Sequence, residues 1–361
     1  MKDLNILIST YPVLFIFLSF ITGLLLMPYV IKIAKEKNLI VKPNKRTSHK
    51  GKIPNIGGIN IFSSFIIPFL IFSTSNFLFI NTVIVGMYFI LLVGFFDDLV
   101  ELNSYKKLIG EIIAGIILII LADVRITHLH GFLGINELPI LLSYFLSFFV
   151  FLLIVNSFNL IDGVDGLASG LGVISFTFFA IYFNLTEEYL YASIAYGMIG
   201  TLLIFFIYNV FGGKLKIFMG DSGALVIGYT LYFLVTTFCE LNAYQNIIDD
   251  KYQLMAAPAV AIAVLSLPLF DTLRVVITRL KKGLSPFQAD KNHMHHLLLS
   301  IGLKHREVSF LLIIVNISFI ILGLLIANWK IEYSFIPLIL YAYILIFVMW
   351  RVVDKHNLKN K

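Results

Sequence analysis

At 361 residues the chain is long enough for two or three soluble domains, but 59% of it is hydrophobic, only 13% is charged, and its mean hydropathy is +0.93. Water-soluble folds are about half apolar and about a quarter charged, so these proportions exclude a soluble enzyme, a disordered tail and a disulfide scaffold and make lipid part of the solvent. The single cysteine, Cys239, excludes intrachain disulfides and cysteine metal clusters, and the net charge of +6 is spread between apolar stretches, so no nucleic-acid partner is expected.

In chain order, uncharged stretches at 12–31, 138–161, 166–186, 189–213, 222–239, 252–270, 308–329 and 333–350 each suit a bilayer span of about 20 residues. The run 53–96 is too long for one helix, and the polar Ser73-Thr74-Ser75-Asn76 divides it in two. The shorter stretch 108–122 completes the set. The first segment is too long for a signal peptide and no small-residue cleavage site follows it, so it is expected to remain as an anchor. The expected fold is an all-α, polytopic integral membrane protein with about eleven transmembrane helices, forming one domain over 1–361.

Numbering the connections alternately puts all but four of the 27 Lys and Arg on one side, the exceptions being Lys2, Arg125, Lys251 and Lys330. By the positive-inside rule the basic side is cytoplasmic. The N-terminus is therefore expected outside, the C-terminus inside, and the loops near 34–56, 97–107, 156–166, 211–222 and 275–306 at the cytoplasmic face of the inner membrane.

Acids beside hydrocarbon are tolerated mainly where they serve a site, and four polar clusters fall at cytoplasmic span ends. The first is Asp97-Asp98 with Glu101, ending an apolar run. A helix terminus meeting water explains it blandly; two adjacent carboxylates that stay charged call for a cation. Lys106 and Lys107 follow at the depth where lysines attract anionic headgroups. In the second cluster Asn156, Asn159, Asp162 and Asp165 recur at steps of three, roughly one helix face, while Gly163 and Gly166 argue that the helix is interrupted there. A plain turn is the alternative; an EF-hand is not, because Val173 stands twelfth from Asp162 where Glu is required.

The third cluster, Phe218-Met219-Gly220-Asp221-Ser222-Gly223, opens a span with a glycine-flanked acid. It suits a magnesium diphosphate, and a helix N-cap explains it nearly as well. The fourth groups Asp290, His293, His295 and His296 in the long basic loop with Arg279, Lys281, Lys282 and Lys291. Anion or sugar recognition suits those charges better than zinc, for which cysteines and the usual fourth ligand are missing. A solvated loop is the bland reading.

In this order, the four clusters resemble the polyprenyl-phosphate N-acetylhexosamine-1-phosphate transferases of glycosyltransferase family 4 over most of the chain. The run Pro268-x-x-Asp271-Thr272-x-x-Val275, followed by Arg279, Ser285-Pro286-Phe287, Asp290 and His293-x-His295-His296, is similar to the branch acting on undecaprenyl phosphate with GlcNAc-1-phosphate. Arg46, His49, Pro54 and Gly57-Gly58 also match its first cytoplasmic segment. Glu101 stands where relatives often carry Asp, and Gly212-Gly213-Lys214-Leu215 replaces a shorter Pro-Ala stretch, which leaves the role of Asn209 open.

The resemblance implies transfer of an N-acetylhexosamine-1-phosphate from a UDP-sugar to a polyprenyl phosphate, with release of UMP and Mg²⁺ or Mn²⁺ as cofactor, to start a cell-envelope glycan. It implies Asp221 and Asn159 as metal ligands and Asp97 and Asp98 as the catalytic pair acting on the acceptor phosphate. Substrate contacts fall to Lys50, Lys107, Asn156, Asp162, Asp165, Phe218 (stacked on uracil), Arg279, Asp290, His293, His295 and His296. A homodimer in the lipid bilayer is the expected assembly. The competing readings are an intramembrane Mg²⁺-dependent prenyltransferase, echoed by the Asn159, Asp162, Asp165 spacing, and an ion-coupled transporter, whose acids belong nearer mid-span.

Overall fold

A computed structural model describes residues 11–41, 53–72, 77–244, 247–284 and 293–359. Lys50 and Asp290, together with Arg46, His49 and the polar run 73–76, lie outside the described residues. Helices dominate: α1 (Leu14–Glu36), α2 (Gly57–Phe72), α3 (Phe77–Val100), α4 (Ser104–Gly115), α5 (Ile140–Ile161), α6 (Leu167–Leu185), α7 (Tyr189–Phe211), α8 (Gly220–Ala243), α9 (Ala257–Val264), α10 (Ser266–Lys281), α11 (Met294–Ser300), α12 (His305–Leu325) and α13 (Ile331–Lys359). A two-residue antiparallel ladder pairs β1 (Ile40–Val41) with β2 (Ile53–Pro54).

Among the described residues eight helices are long and apolar enough to cross a membrane: α1, α3, α5 to α8, α12 and α13. The protein is therefore an all-α, multi-pass membrane protein, since only structures that satisfy their own backbone groups span lipid. α2 is a shorter apolar helix, and α4 continues as a π-helical turn through Ile116–Leu121. On α13, Ile339, Leu340, Tyr343 and Phe347 are exposed, as expected of a lipid-facing surface.

One apolar stretch departs from its expected form. Residues 252–270 read as a single straight span, yet the structure breaks it at Leu265, where α9 and α10 meet at 80°. Pro268 has no N–H to give the Val264 carbonyl four residues back, so the helix ladder must open there. Asn316 of α12, fully buried, closes the gap: its Nδ2 donates to Val264 O (3.0 Å), and its Oδ1 accepts from Leu267 N (3.1 Å) and Ser266 Oγ (3.2 Å). Replacing it by the similarly sized Asn316→Leu takes the side-chain acceptor from the Leu267 N–H, at about 1–3 kcal/mol. We expect a clear fall in the thermal unfolding temperature in detergent; an unchanged melting curve would contradict this role.

The chain divides into two compact units, one of Met1–Val124 with Val150–Leu234, the other of Arg125–Phe149 with Val235–Lys361. Lipid offers helices no hydrophobic incentive to associate, so close packing and interhelical hydrogen bonds carry the assembly. In the first unit α1 packs on α2 and α7: Asn60 Nδ2 donates to Gly23 O (3.2 Å), and a Cβ on Gly200 would stand 2.3 Å from Ile16 O. In the second, Ala256, Ala259 and Ala263 form a small-residue face against Phe319 and Ile326, with Leu338 and Ala342 of α13 completing the cluster.

Candidate active site

The polar clusters of the first unit are brought together by helix ends. α3 presents Asp97 and Asp98 from consecutive positions, about 100° apart around its axis. They consequently meet different neighbours. Asp98 Oδ1 accepts from Asn55 Nδ2 (2.8 Å) and Asp221 N (2.8 Å), and Oδ2 from Ser222 N (3.1 Å) and Ser222 Oγ (2.8 Å). It thus satisfies the first N–H groups of α8 and places a negative charge at the positive end of that helix.

Gly220 makes this approach feasible. Its φ is +73°, and a Cβ there would lie 2.5 Å from Asp98 Oδ2. The preceding strand-like segment is held against β2: Phe218 N donates to Pro54 O (2.8 Å), Gly57 N to Phe218 O (3.0 Å) and Gly58 N to Met219 O (3.0 Å).

Asp97 is buried and turns the other way. Its Oδ1 accepts from Leu102 N (2.7 Å), and its Oδ2 pairs with Lys107 Nζ (2.9 Å). Lys107 also reaches Asp221 Oδ2 (2.8 Å). Asn159, with its amide oriented to suit its neighbours, donates to Asp221 Oδ1 (2.8 Å) and accepts from Lys107 Nζ. Burial alone would lower the pKa of Lys107, but the Asp221 and Asp97 carboxylates outweigh it and hold the ammonium above its usual value.

α5 ends at Ile161, and the chain turns through 162–166 before α6 begins. Asn209 of α7 ties that turn to the segment leading into α8, its Oδ1 accepting from Gly166 N (2.7 Å) and its Nδ2 donating to Ile217 O (2.8 Å). Those two bonds give it an architectural part in the site. Asp165 pairs with Lys216 (2.6 Å), whose ammonium stands 5.4 Å from the centre of the half-buried Phe218 ring. Asp162 is crowded: burial first, then the charges of Asp221, Asp98 and Asp165, push its carboxyl up to about 8. Asn156 donates to Glu111 Oε2 (2.7 Å), and Glu111 is only 1% exposed.

The histidine cluster is built in the second unit around Asp271, which is fully buried on α10. Asp271 Oδ2 meets His293 Nδ1 (2.9 Å), while Oδ1 accepts from Met294 N (3.0 Å) and Arg274 (2.8 Å). His293 stacks on His295, whose ring adjoins His296. Burial, then His296, depress the pKa of His295 to about 3, so it is a neutral imidazole. Arg279 is buried on the same helix as Asp271.

Of the residues singled out from sequence, Asp97, Asp98, Lys107, Asn159, Asp162, Asp165, Phe218 and Asp221 occupy one site in the first unit, with Asn156 one turn earlier on α5. Four participants went unnoticed: Asn55, Glu111, Lys216 and Asp271. Glu111 left a signal, since it is the only charge in the stretch 108–122. Asp271 was part of a quoted motif, but without a role. For Asn55 and Lys216 nothing local marks the partner.

Among the described residues no three His, Cys, Asp or Glu side chains close on one point as a metal cage. Around Asp221 the atoms able to ligate a metal, the carboxylate oxygens of Asp97 and Asp221 and the side-chain oxygen of Asn159, are all oxygens, which fits Mg²⁺ held by one or two side chains with substrate phosphates supplying the rest.

Residues 80–239 match the family model described as Glycosyl transferase family 4. The chain is similar to an undecaprenyl-phosphate alpha-N-acetylglucosaminyl 1-phosphate transferase of Escherichia coli O157:H7, 27% identical over 351 residues that cover 94% of this chain and 90% of the relative. A protein of the same name from Yersinia pestis is 28% identical over 313 residues, covering 86% and 82%. A probable undecaprenyl-phosphate N-acetylglucosaminyl 1-phosphate transferase of Bacillus subtilis is 27% identical over 345 residues, covering 95% and 91%.

Proposed function

Because residues 80–239 match glycosyl transferase family 4 and the chain is similar to proteins named undecaprenyl-phosphate N-acetylglucosaminyl 1-phosphate transferases, we propose that it belongs to that family and transfers GlcNAc-1-phosphate from UDP-GlcNAc to undecaprenyl phosphate, releasing UMP at the cytoplasmic face of the inner membrane. The observation that carries this reading is the cluster of Asp97, Lys107, Asn159 and Asp221 at the helix ends of the first unit, within the segment that matches the family. A homodimer remains the expected assembly. Eleven spans would follow if α2, α4 with its π-helical turn, and the bent α9–α10 pair each cross; an odd count would set the termini on opposite sides, and the Lys and Arg bias supports the N-terminus outside and the C-terminus inside.

Phosphoryl transfer asks a protein for alignment and for neutralisation of oxygen charge more than for covalent chemistry. Asp221 and Asn159 would hold Mg²⁺, which when bound neutralises charge on the diphosphate. Lys107 supplies a further cation for phosphate oxygens. Asp97 orients the acceptor phosphate, which needs little deprotonation, because a phosphate monoester with a second pKa of about 6 is largely a dianion near neutrality. Asp98, its oxygens engaged by four protein donors, keeps Asp221 in register. Phe218 offers a ring face to uracil, and His293, His295, His296 and Arg279 are assigned to the anionic sugar nucleotide.

The deciding experiment incubates purified protein with Mg²⁺, a polyprenyl phosphate and a panel of UDP-sugars, and quantifies UMP. We expect release with UDP-GlcNAc that depends on the lipid phosphate. Prenyl transfer without nucleotide consumption, or ion flux without UMP, would replace the reading with one of its competitors.

The Asp162 carboxyl gives a pH signature. With a pKa of about 8 it is protonated below that pH, and a cation nearby favours its ionised form. Divalent-ion affinity is therefore expected to rise as pH approaches about 8, by up to about tenfold per unit where one proton is released, and to level off above it. The Asp162→Asn variant should flatten that slope in a Mn²⁺ titration; an unaltered slope would reject the assignment.

A further inference from the structure

The Lys107 ammonium has three N–H donors, and three oxygens receive them: Asp97 Oδ2 at 2.9 Å, Asp221 Oδ2 at 2.8 Å and the Asn159 side-chain oxygen. Two of those residues are the ones assigned to the metal, and the third is the acid assigned to the acceptor phosphate. We propose that Lys107 is a resident counter-cation which a divalent ion must displace, so that metal loading frees an ammonium to bind substrate phosphate. The proposal deepens the transferase reading and rests on it for the identity of the ion.

Charge and geometry support an exchange rather than co-occupancy. With both carboxyls ionised, Asp97 and Asp221 carry two negative charges; Lys107 balances one of them, and a divalent ion balances both. An ammonium and a divalent ion sharing these oxygens would repel at close range in a site where the lysine side chain is only 16% exposed. The displaced group can move without backbone rearrangement, because its flexible four-carbon stem rises from the first turn of α4. That turn is itself fixed, with Asn103 Oδ1 accepting from Lys106 N (2.8 Å). Phosphate oxygens are the partner such an ammonium would seek once the carboxylates are taken.

The test is Mn²⁺ binding, followed by the resonance signal of free Mn²⁺, to the full chain in detergent without substrate. Lys107→Gln and Lys107→Met should bind Mn²⁺ at least about tenfold more tightly than wild type, because a competing charge is gone. Lys107→Arg, which keeps the charge, should stay nearer wild type. Equal or weaker binding in both neutral variants overturns the proposal.

A second measurement needs no variant: an amine-reactive reagent followed by mass spectrometry should label Lys107 of the wild type more readily when Mn²⁺ is present. Protection, or no change, also overturns it. Mn²⁺ binding nowhere, with UMP release intact, would reject the metal assignment together with the proposal while leaving the transferase reaction. Tighter Mn²⁺ binding in a protein that releases no UMP from any sugar would reject the reaction and leave the exchange standing.

Discussion

Asp221→Ala is expected to lower UMP release by roughly 10³-fold while the protein still inserts and melts close to the wild-type temperature. The magnitude is that of removing one preorganised electrostatic contact to a developing charge, here joined to loss of the carboxylate proposed to hold the metal. Stability should survive because the neighbours retain partners: Asn159 and Asp97 still meet Lys107, and the backbone N–H of residue 221 still donates to Asp98. Turnover and thermal unfolding measured on one preparation check both halves. Full activity would remove Asp221 from the mechanism.

Asp98→Asn is expected to fail differently, losing turnover and stability together. The four groups facing Asp98 are all donors: the Asn55 amide, two backbone N–H groups at the start of α8, and the Ser222 hydroxyl. An asparagine of the same shape must turn its own NH₂ towards at least one of them. Orphaning buried donors costs about 1–3 kcal/mol apiece, and the start of α8 carries Asp221 with it. We expect a drop of about 10²-fold in turnover with a lowered unfolding temperature. A variant that loses activity but melts like wild type would make Asp98 a group that acts on substrate directly.

The adjacent acids illustrate what a linear reading can and cannot see. Their placement at the end of an apolar run marked both as functional, and Asn159, Asp165 and Asp221 stood out for the same reason. The division of labour between Asp97 and Asp98 was not legible, because it depends on donors arriving from elsewhere. Asn55 is 43 residues away and Ser222 is 124. Asn209 was left without a role for want of the same information, since its partners lie on two separate loops.

The broken helix follows a similar logic. Composition made 252–270 a span, and Pro268 was in view as a motif residue, but a proline within an apolar run can kink a helix or end it. The outcome turned on Asn316, 52 residues beyond Val264, which supplies hydrogen bonds that the break would otherwise forfeit.

Sequence by itself determined that this is a helical, multi-pass membrane protein and where its costly charges fall. Both are local properties: hydrocarbon forces each apolar segment to satisfy its own backbone, and an acid at a span end is expensive whatever its neighbours are. Only the tertiary structure decided which carboxylate caps a helix, which one faces a lysine, and which asparagine mends a broken ladder. Chemically identical side chains differ there only through the partners that folding brings within about 3 Å of them.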